Sequence, residues 1–223
     1  MLADTIFYAP DSGQIRQAVI MFHGYGSNGN DLIGLAPELA KQIPDTIFYA
    51  PNAPDVLNAA GYKWFDIDDA ASASAYSQFD YVQKIMERAV QSLAGITGFV
   101  RYLEFKHSLK QSNVVLMGFS QGALLALLAG LCSAPAVKGI VACSSLPLAI
   151  NDALKLDDIK SKPPVLLTHG SADDVVPLTG MEMTENTLKN IECDTTVHVK
   201  DGMGHAIDDS CVQAMIDFMA QLN

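Results

Sequence analysis

Short apolar runs alternate with helical patterns along the chain. Six nearly continuous runs of β-forming residues are typical of strands covered on both faces in a parallel sheet: 18–22, 46–50, 113–117, 139–143, 165–168 and 195–199. Between them, the spacing of apolar residues predicts helices over 32–42, 79–93, 122–131, 180–190 and 209–221, and residues 97–110 extend or follow the second of these. The alternation predicts an α/β fold with a mostly parallel, doubly wound sheet flanked by helices.

One seven-residue segment occurs twice. Residues 4–10 and 45–51 both read Asp-Thr-Ile-Phe-Tyr-Ala-Pro, and each is predicted to form a strand ending at its proline. Two copies without wider similarity do not predict a repeat architecture. No linker divides the chain, so one domain over residues 1–223 is expected, with the alanine- and serine-rich residues 70–75 forming a surface loop.

Composition and charge narrow the class of function. The 223 residues are 49% hydrophobic and 17% charged, which is enough apolar material for a sizeable core. The net charge of −11 argues against nucleic acid and against electrostatic docking on anionic lipid. Without a membrane-length apolar run or a signal peptide, and with four scattered cysteines, we expect a cytoplasmic protein with no stable membrane anchor, metal or cofactor.

Ser120 is the candidate nucleophile. It lies in the pentapeptide Gly-Phe-Ser-Gln-Gly (residues 118–122), between the predicted strand 113–117 and the predicted helix 122–131. A serine on a sharp strand-to-helix turn needs glycines on both sides, because the neighbouring backbones approach too closely for a Cβ. The same turn places the amide of Gln121 at a helix N-terminus, where it can stabilise an oxyanion.

His205 is the candidate general base. It lies in Gly-Met-Gly-His (residues 202–205), after the last predicted strand and before the last helix. In α/β-hydrolases the triad follows the chain order serine, acid, histidine, with the histidine on such a loop. The acid should follow an intervening strand, where Asp173 and Asp174 both fit and spacing alone does not choose. A second oxyanion donor is expected after the first strand, where Tyr25 is the best candidate through its backbone amide.

Together these segments resemble the phospholipase/carboxylesterase family, which includes the acyl-protein thioesterases. The matching segments follow the family order over nearly the whole chain: 23–26, 51–54, 64–67, 118–122, 144–147, 169–177 and 202–205. The resemblance implies an α/β-hydrolase fold, Asp173 as the acid, and Ser120 and His205 as its triad partners. It also implies an oxyanion hole from the amides of Tyr25 and Gln121, and places Trp64, Leu146 and Pro147 near the acyl-binding groove.

The resulting functional hypothesis is a serine hydrolase that cleaves carboxylic esters or thioesters through an acyl-enzyme on Ser120. The expected substrate is a small or lipid-like acyl ester or thioester, and neither a metal nor an organic cofactor is required. Because relatives are often dimers, the resemblance also allows a homodimer. The alternatives are a lysophospholipase, a peptidase, and a non-catalytic binding protein that keeps the hydrolase fold.

Overall fold

The computed structural model describes residues 4–58, 61–68 and 77–222, so the stretch 70–75 lies outside the described residues. A seven-stranded sheet forms its centre, and its strands are β1 Thr5–Tyr8, β2 Gln17–Phe22, β3 Thr46–Pro51, β6 Val114–Phe119, β7 Gly139–Cys143, β8 Val165–Gly170 and β9 Thr195–Lys200, with a separate antiparallel pair of β4 Asp55–Asn58 and β5 Gly61–Lys63. The order in the large sheet is β1-β3-β2-β6-β7-β8-β9. β1 is antiparallel to β3, and all other neighbours in this sheet are parallel.

Helices cover both faces of the sheet, as the apolar runs predict. Side chains alternate along each central strand between two buried clusters, so that Ile20 and Leu116 face one cluster while Met21 and Met117 face the other. The first cluster packs against α3 Gln78–His107, α4 Gln121–Leu131 and α5 Leu178–Asn190. The second packs against α1 Gly29–Ile33, α2 Ala36–Ala40 and α6 Asp209–Gln221. The predicted doubly wound α/β fold is therefore confirmed.

One helix prediction is wrong, and another is decided between its two alternatives. The predicted helix 32–42 is two short helices, because Gly34 ends α1 and Pro37 lies in the first turn of α2. A proline lacks the amide needed inside a continuous helix and fits only at its start. For residues 97–110, extension of the preceding helix is confirmed as far as His107: α3 runs unbroken for 30 residues until Ser108 takes the left-handed conformation at φ 54°.

The duplicated segment has a structural explanation. Its two copies form β1 and β3, which lie side by side as antiparallel neighbours. The register places Phe7 opposite Tyr49 and Tyr8 opposite Phe48, and both pairs are in ring contact at 5.8 and 6.2 Å. Cross-strand aromatic pairs of this kind stabilise an antiparallel pair. The duplication therefore supplies one aromatic pair on each face of the sheet edge.

The parallel strands gather the predicted site residues at one edge of the sheet. β2, β6 and β8 run in the same direction, so the residues that follow them emerge at the same carboxyl edge. His23 follows β2, Ser120 follows β6 and Asp173 follows β8 within three residues. Ligands of open α/β sheets bind at this edge.

We expect Gly122→Ala to destabilise the protein strongly. A Cβ on Gly122 would lie 2.0 Å from the carbonyl oxygen of Phe22, a backbone atom of β2 that cannot move aside without disturbing the sheet. The expected loss is at least about 2 kcal/mol of unfolding free energy, measured by urea denaturation. The matched control is Gly95→Ala, which meets nothing within 4 Å inside α3 and should gain up to about 1 kcal/mol of stability. Equal effects of the two substitutions would contradict the argument.

Candidate active site

Ser120 lies in a strained turn between β6 and α4. Its backbone has φ 53° and ψ −115°, a conformation that a non-glycine residue rarely adopts. The Ser120 amide donates to the carbonyl of Cys143 at 2.8 Å, which ties the turn to the end of β7. The next residue, Gln121, begins α4, where the first amides have no acceptor within the helix. The turn therefore places Ser120, which is 8% exposed, directly before the N-terminal amides of α4.

Asp173 and His205 are joined by a hydrogen bond. Nδ1 of His205 lies 2.8 Å from Oδ2 of Asp173, whose side chain is fully buried. The other carboxylate oxygen accepts the amides of Val175 at 3.0 Å and Val176 at 2.8 Å. With Oδ1 held by two backbone donors, Oδ2 is left directed at the imidazole. The loop of Asp173 therefore orients the carboxylate independently of its bond to His205.

The geometry separates the alternatives that spacing left open. Asp174, the other candidate acid, is exposed to solvent, whereas Asp173 is buried against His205. Three of the other histidines have different partners: His23 contacts Gly24 and Ala53, His107 contacts the Tyr49 hydroxyl, and His198 contacts Ser210.

Hydrogen bonding outweighs burial at Asp173. Burial by itself would raise the pKa of this carboxyl, because the charged form loses hydration. The hydrogen bond from His205 and those from the amides of Val176 and Val175, with the attraction of a charged imidazole, act in the opposite direction. The net effect lowers the pKa of Asp173, so the group stays ionised beside His205.

A cavity of about 630 Å³ opens over the turn at Ser120. Ser120 and His205 both line it, together with Tyr25, and most of the other lining side chains are apolar. Leu146 lines this cavity and also a smaller one of about 230 Å³ beside it, and Pro147 lines only the smaller one. The two cavities share four wall residues: Tyr81, Leu146, Val175 and Val176.

Trp64 takes a different position from the one expected for a substrate contact. Among the described residues, those lining the two cavities do not include Trp64. Trp64 is 3% exposed, its ring packs edge-on against Phe22 at 5.5 Å, and its Nε1 donates to the carbonyl of His23 at 2.9 Å. A buried indole needs an acceptor for its N–H, and the carbonyl of the loop after β2 provides it.

Two further residues that sequence reasoning missed support the site. The ring of Phe119 lies 4.7 Å from that of His205 and packs against Gly24. Nε2 of His169, fully buried, donates to the carbonyl of Val176 at 2.8 Å and lies 3.4 Å from Oδ2 of Asp173. The sequence offers one signal for each residue, its position inside a motif. Phe119 is the variable residue before Ser120, and His169 lies four residues before Asp173.

Comparison with known proteins identifies the family. A model of the phospholipase/carboxylesterase family matches residues 7–223. The chain belongs to this family. Membership confirms the predicted fold and the general activity, that of a serine hydrolase acting on carboxylic esters or thioesters.

Individual relatives agree with this placement. Acyl-protein thioesterase 1 of Saccharomyces cerevisiae is 31% identical over 205 residues, which cover 86% of each chain. Esterase YpfH of Escherichia coli is 24% identical over 217 residues, covering 96% of this chain and 86% of its own. Among solved structures, esterase PE8 superposes with a TM-score of 0.86 at 32% identity and covers 98% of both chains.

Two properties of the described residues bear on membranes and metals. No helix within residues 4–58, 61–68 and 77–222 is both long and apolar enough to cross a bilayer. In the same part of the chain, no three histidine, cysteine or acidic side chains lie together as ligands for a metal ion.

The lowered pKa of Asp173 predicts a pH-dependent contribution to stability. A carboxyl whose pKa is lower in the folded state stabilises the fold above its ordinary pKa of 3.8, and that contribution is lost as the pH falls through the folded value. Wild type should therefore exceed Asp173→Asn in unfolding free energy near neutral pH, and the difference should shrink below about pH 4. Urea denaturation of both proteins from about pH 3 to pH 7 measures it. A difference that stays constant over this range would contradict the assignment.

Proposed function

We propose that Ser120, Asp173 and His205 form a catalytic triad that hydrolyses carboxylic esters or thioesters through an acyl-enzyme. The observation that carries this proposal is the 2.8 Å hydrogen bond from Nδ1 of His205 to a buried carboxylate, made by a histidine that shares a cavity with Ser120. A serine hydroxyl is a poor nucleophile until a base takes its proton. His205 is the base with access to that cavity and with an acid to orient it.

The hydrogen bond to Asp173 assigns the nitrogens of His205. Since Nδ1 donates to the carboxylate, Nε2 carries the free lone pair and accepts the Ser120 proton during attack on the acyl carbonyl. The same proton then passes to the departing alkoxide or thiolate. Water attacks the acyl-enzyme by the reverse sequence, releasing the carboxylic acid and restoring Ser120.

Backbone amides supply the proposed oxyanion hole. The Gln121 amide belongs to the first turn of α4, whose dipole favours negative charge at this end. The Tyr25 amide lies in the turn after β2, and Tyr25 lines the same cavity as Ser120. Two donors directed at one carbonyl oxygen stabilise the tetrahedral intermediate more than the ground state.

The walls of the cavity favour an apolar acyl group. Leu32, Ile67 and Leu146 are among the side chains that line it, and the cavity volume lies in the range of small-molecule sites. Relatives named as esterases and acyl-protein thioesterases agree with either an oxygen or a sulfur leaving group. A lysophospholipase activity is the alternative, and it would use the same triad on a longer acyl chain.

Replacing the nucleophile tests the proposal directly. Ser120→Ala should lower kcat for an aryl ester by about 10³–10⁶, because the triad acts as a unit. Ser161→Ala is the matched control, since its hydroxyl donates to the carbonyl of Gly130, a contact outside the cavity, and its activity should equal that of wild type. Two results would favour a non-catalytic binding protein instead. One is an equal rate for wild type and Ser120→Ala, and the other is a wild type without activity on any aryl ester.

The shared wall of the two cavities predicts control of acyl length. Leu146 is 7% exposed and lies between them, so Leu146→Ala should join the larger space to the smaller one. We expect the ratio of kcat/KM for dodecanoyl over butanoyl aryl esters to rise by about tenfold, which corresponds to roughly 1.4 kcal/mol of added apolar contact. The ratio is independent of the fraction of active enzyme, so a loss of stability does not obscure it.

Leu156→Ala provides the comparison for this change. Leu156 is 63% exposed and lies outside both cavities, and the same truncation there should leave the chain-length ratio unchanged. If Leu146→Ala and Leu156→Ala gave the same ratio, Leu146 would have no part in acyl selection.

A further inference from the structure

Residues 62–65 lie between the two loops that carry the proposed oxyanion donors. This short segment contains the end of β5, and it makes five hydrogen bonds to the loops at 2.8–2.9 Å. Two of these bonds reach Gln121, and three reach the turn around Tyr25, at His23, Gly26 and Ser27. The segment therefore connects parts of the site that are about 100 residues apart in sequence.

The side chain of Gln121 is fully buried and makes two of these bonds. Its Oε1 accepts the amide of Trp64 at 2.9 Å and its Nε2 donates to the carbonyl of Phe65 at 2.8 Å. Because one partner donates and the other accepts, the carboxamide has a single satisfied orientation. Gln121, the first residue of α4, is therefore bonded to residues 64 and 65 through both the oxygen and the nitrogen of its side-chain amide.

The turn around Tyr25 is attached to the same segment at both ends. On one side the Trp64 indole donates to the carbonyl of His23 at 2.9 Å, and on the other the Gly26 amide donates to the carbonyl of Tyr62 at 2.8 Å. The approach is close, since a Cβ on Gly61 would lie 2.0 Å from the carbonyl oxygen of Gly26. Tyr25 lies between these two attachment points, so its amide has little freedom to turn.

The neutral imidazole of His23 adds two further hydrogen bonds beside this turn. Nε2 accepts the amide of Ala53 at 3.0 Å, so Nδ1 carries the hydrogen and donates to the carbonyl of Gly24 at 2.7 Å. The imidazole packs against Trp64 with ring centroids 5.2 Å apart and the ring planes tilted by 37°. Burial lowers the pKa of His23, against the opposing effects of the Gly24 carbonyl and of Asp31, and this favours the neutral form that the Ala53 bond requires.

We propose that Trp64 and the side chain of Gln121 are positioning residues that hold the amides of Tyr25 and Gln121 at a fixed separation in the oxyanion hole. This inference rests on the proposed function, since it assigns the network to that hole. An oxyanion donor acts only within about 2.7–3.1 Å of the developing charge, and a misplacement of about 1 Å costs on the order of a hundredfold in rate. The two loops belong to different strands, so the hydrogen bonds of residues 62–65 add to the sheet packing and to the close contact of Gly122 with Phe22 in setting the spacing of the amides.

The test removes single hydrogen bonds from the network. Trp64→Phe keeps a ring of similar packing and deletes the donor to His23, and Gln121→Glu keeps the size of the side chain and deletes the donor to Phe65. Each should lower kcat by about tenfold to a hundredfold with KM changed less than about threefold, because the lost contacts act on the transition state. Active-site titration with an aryl fluorophosphonate gives the enzyme concentration, so partly folded samples remain measurable.

A second readout separates positioning from stability. A trifluoromethyl ketone of the same acyl chain forms an oxyanionic adduct with Ser120, and its affinity should fall in each variant by the same factor as kcat/KM. Thr46→Val is the matched control: its buried hydroxyl donates to the carbonyl of Ile43 at 2.6 Å at the opposite, amino edge of the sheet. It should lose stability and keep the kcat and the ketone affinity of wild type.

The outcomes distinguish this inference from the proposed function. If Ser120→Ala is inactive while Trp64→Phe and Gln121→Glu retain wild-type kcat, the triad stands and the positioning role is overturned. A kcat that falls without any change in ketone affinity also overturns it. If Ser120→Ala is as active as wild type, the proposed function itself fails and the network has only a structural role.

Discussion

The close approach of three backbones at Ser120 is the constraint on which the rest of the structure depends. A Cβ on Gly118 would lie 2.2 Å from the carbonyl oxygen of Gly122, and one on Gly122 would lie 2.0 Å from that of Phe22. The two glycines allow α4 to begin directly over the end of β2 while Ser120 adopts φ 53°. Strain of this kind persists only where the surroundings hold it, and here the bond to Cys143 and the buried helix α4 do so. The loop after β2 thereby meets the helix that starts at Gln121.

The second constraint is electrostatic. A buried carboxylate is unfavourable unless donors replace its lost hydration, and Asp173 receives two backbone amides and one imidazole. These bonds come from its own loop and from the loop that contains His205, so the ionised acid stabilises the relative position of the two. His169 extends this hydrogen-bond network, because its Nε2 donates to the carbonyl of Val176. The carboxylate is therefore a structural centre of this end of the sheet as well as the proposed partner of the base.

The sequence predicted the sheet, its strands and the residues at its carboxyl edge because each depends on local patterns. Continuous apolar runs follow from burial on both faces, and the glycines around Ser120 follow from backbone contact. The choice between Asp173 and Asp174 could not be made from spacing, since it depends on which side chain the loop turns inward. The sequence does not fix the position of Trp64 either. A tryptophan at this point of the chain can line a substrate cavity, or it can be buried with its N–H hydrogen-bonded to a carbonyl. Pro37 argues against one continuous helix, whereas the apolar periodicity over 32–42 favours one. The structure follows the proline.

The site divides into two parts with different physical origins, and this explains why its chemistry is easier to read than its substrate. Backbone amides and buried, hydrogen-bonded side chains form the proposed catalytic edge, so a change at Gln121 or Asp173 leaves a buried polar group unpaired. The cavity walls are apolar side chains such as Ile67, Leu146 and Val175, and Val175 is 64% exposed. Exchanging one apolar wall residue for another alters contact area at about 25 cal/mol per Å² and disturbs no hydrogen bond. Substitutions in the walls can therefore change the acyl preference while the turn, the proposed acid and the proposed base stay the same. A motif built from the turn, the acid and the base thus carries no information about the acyl group.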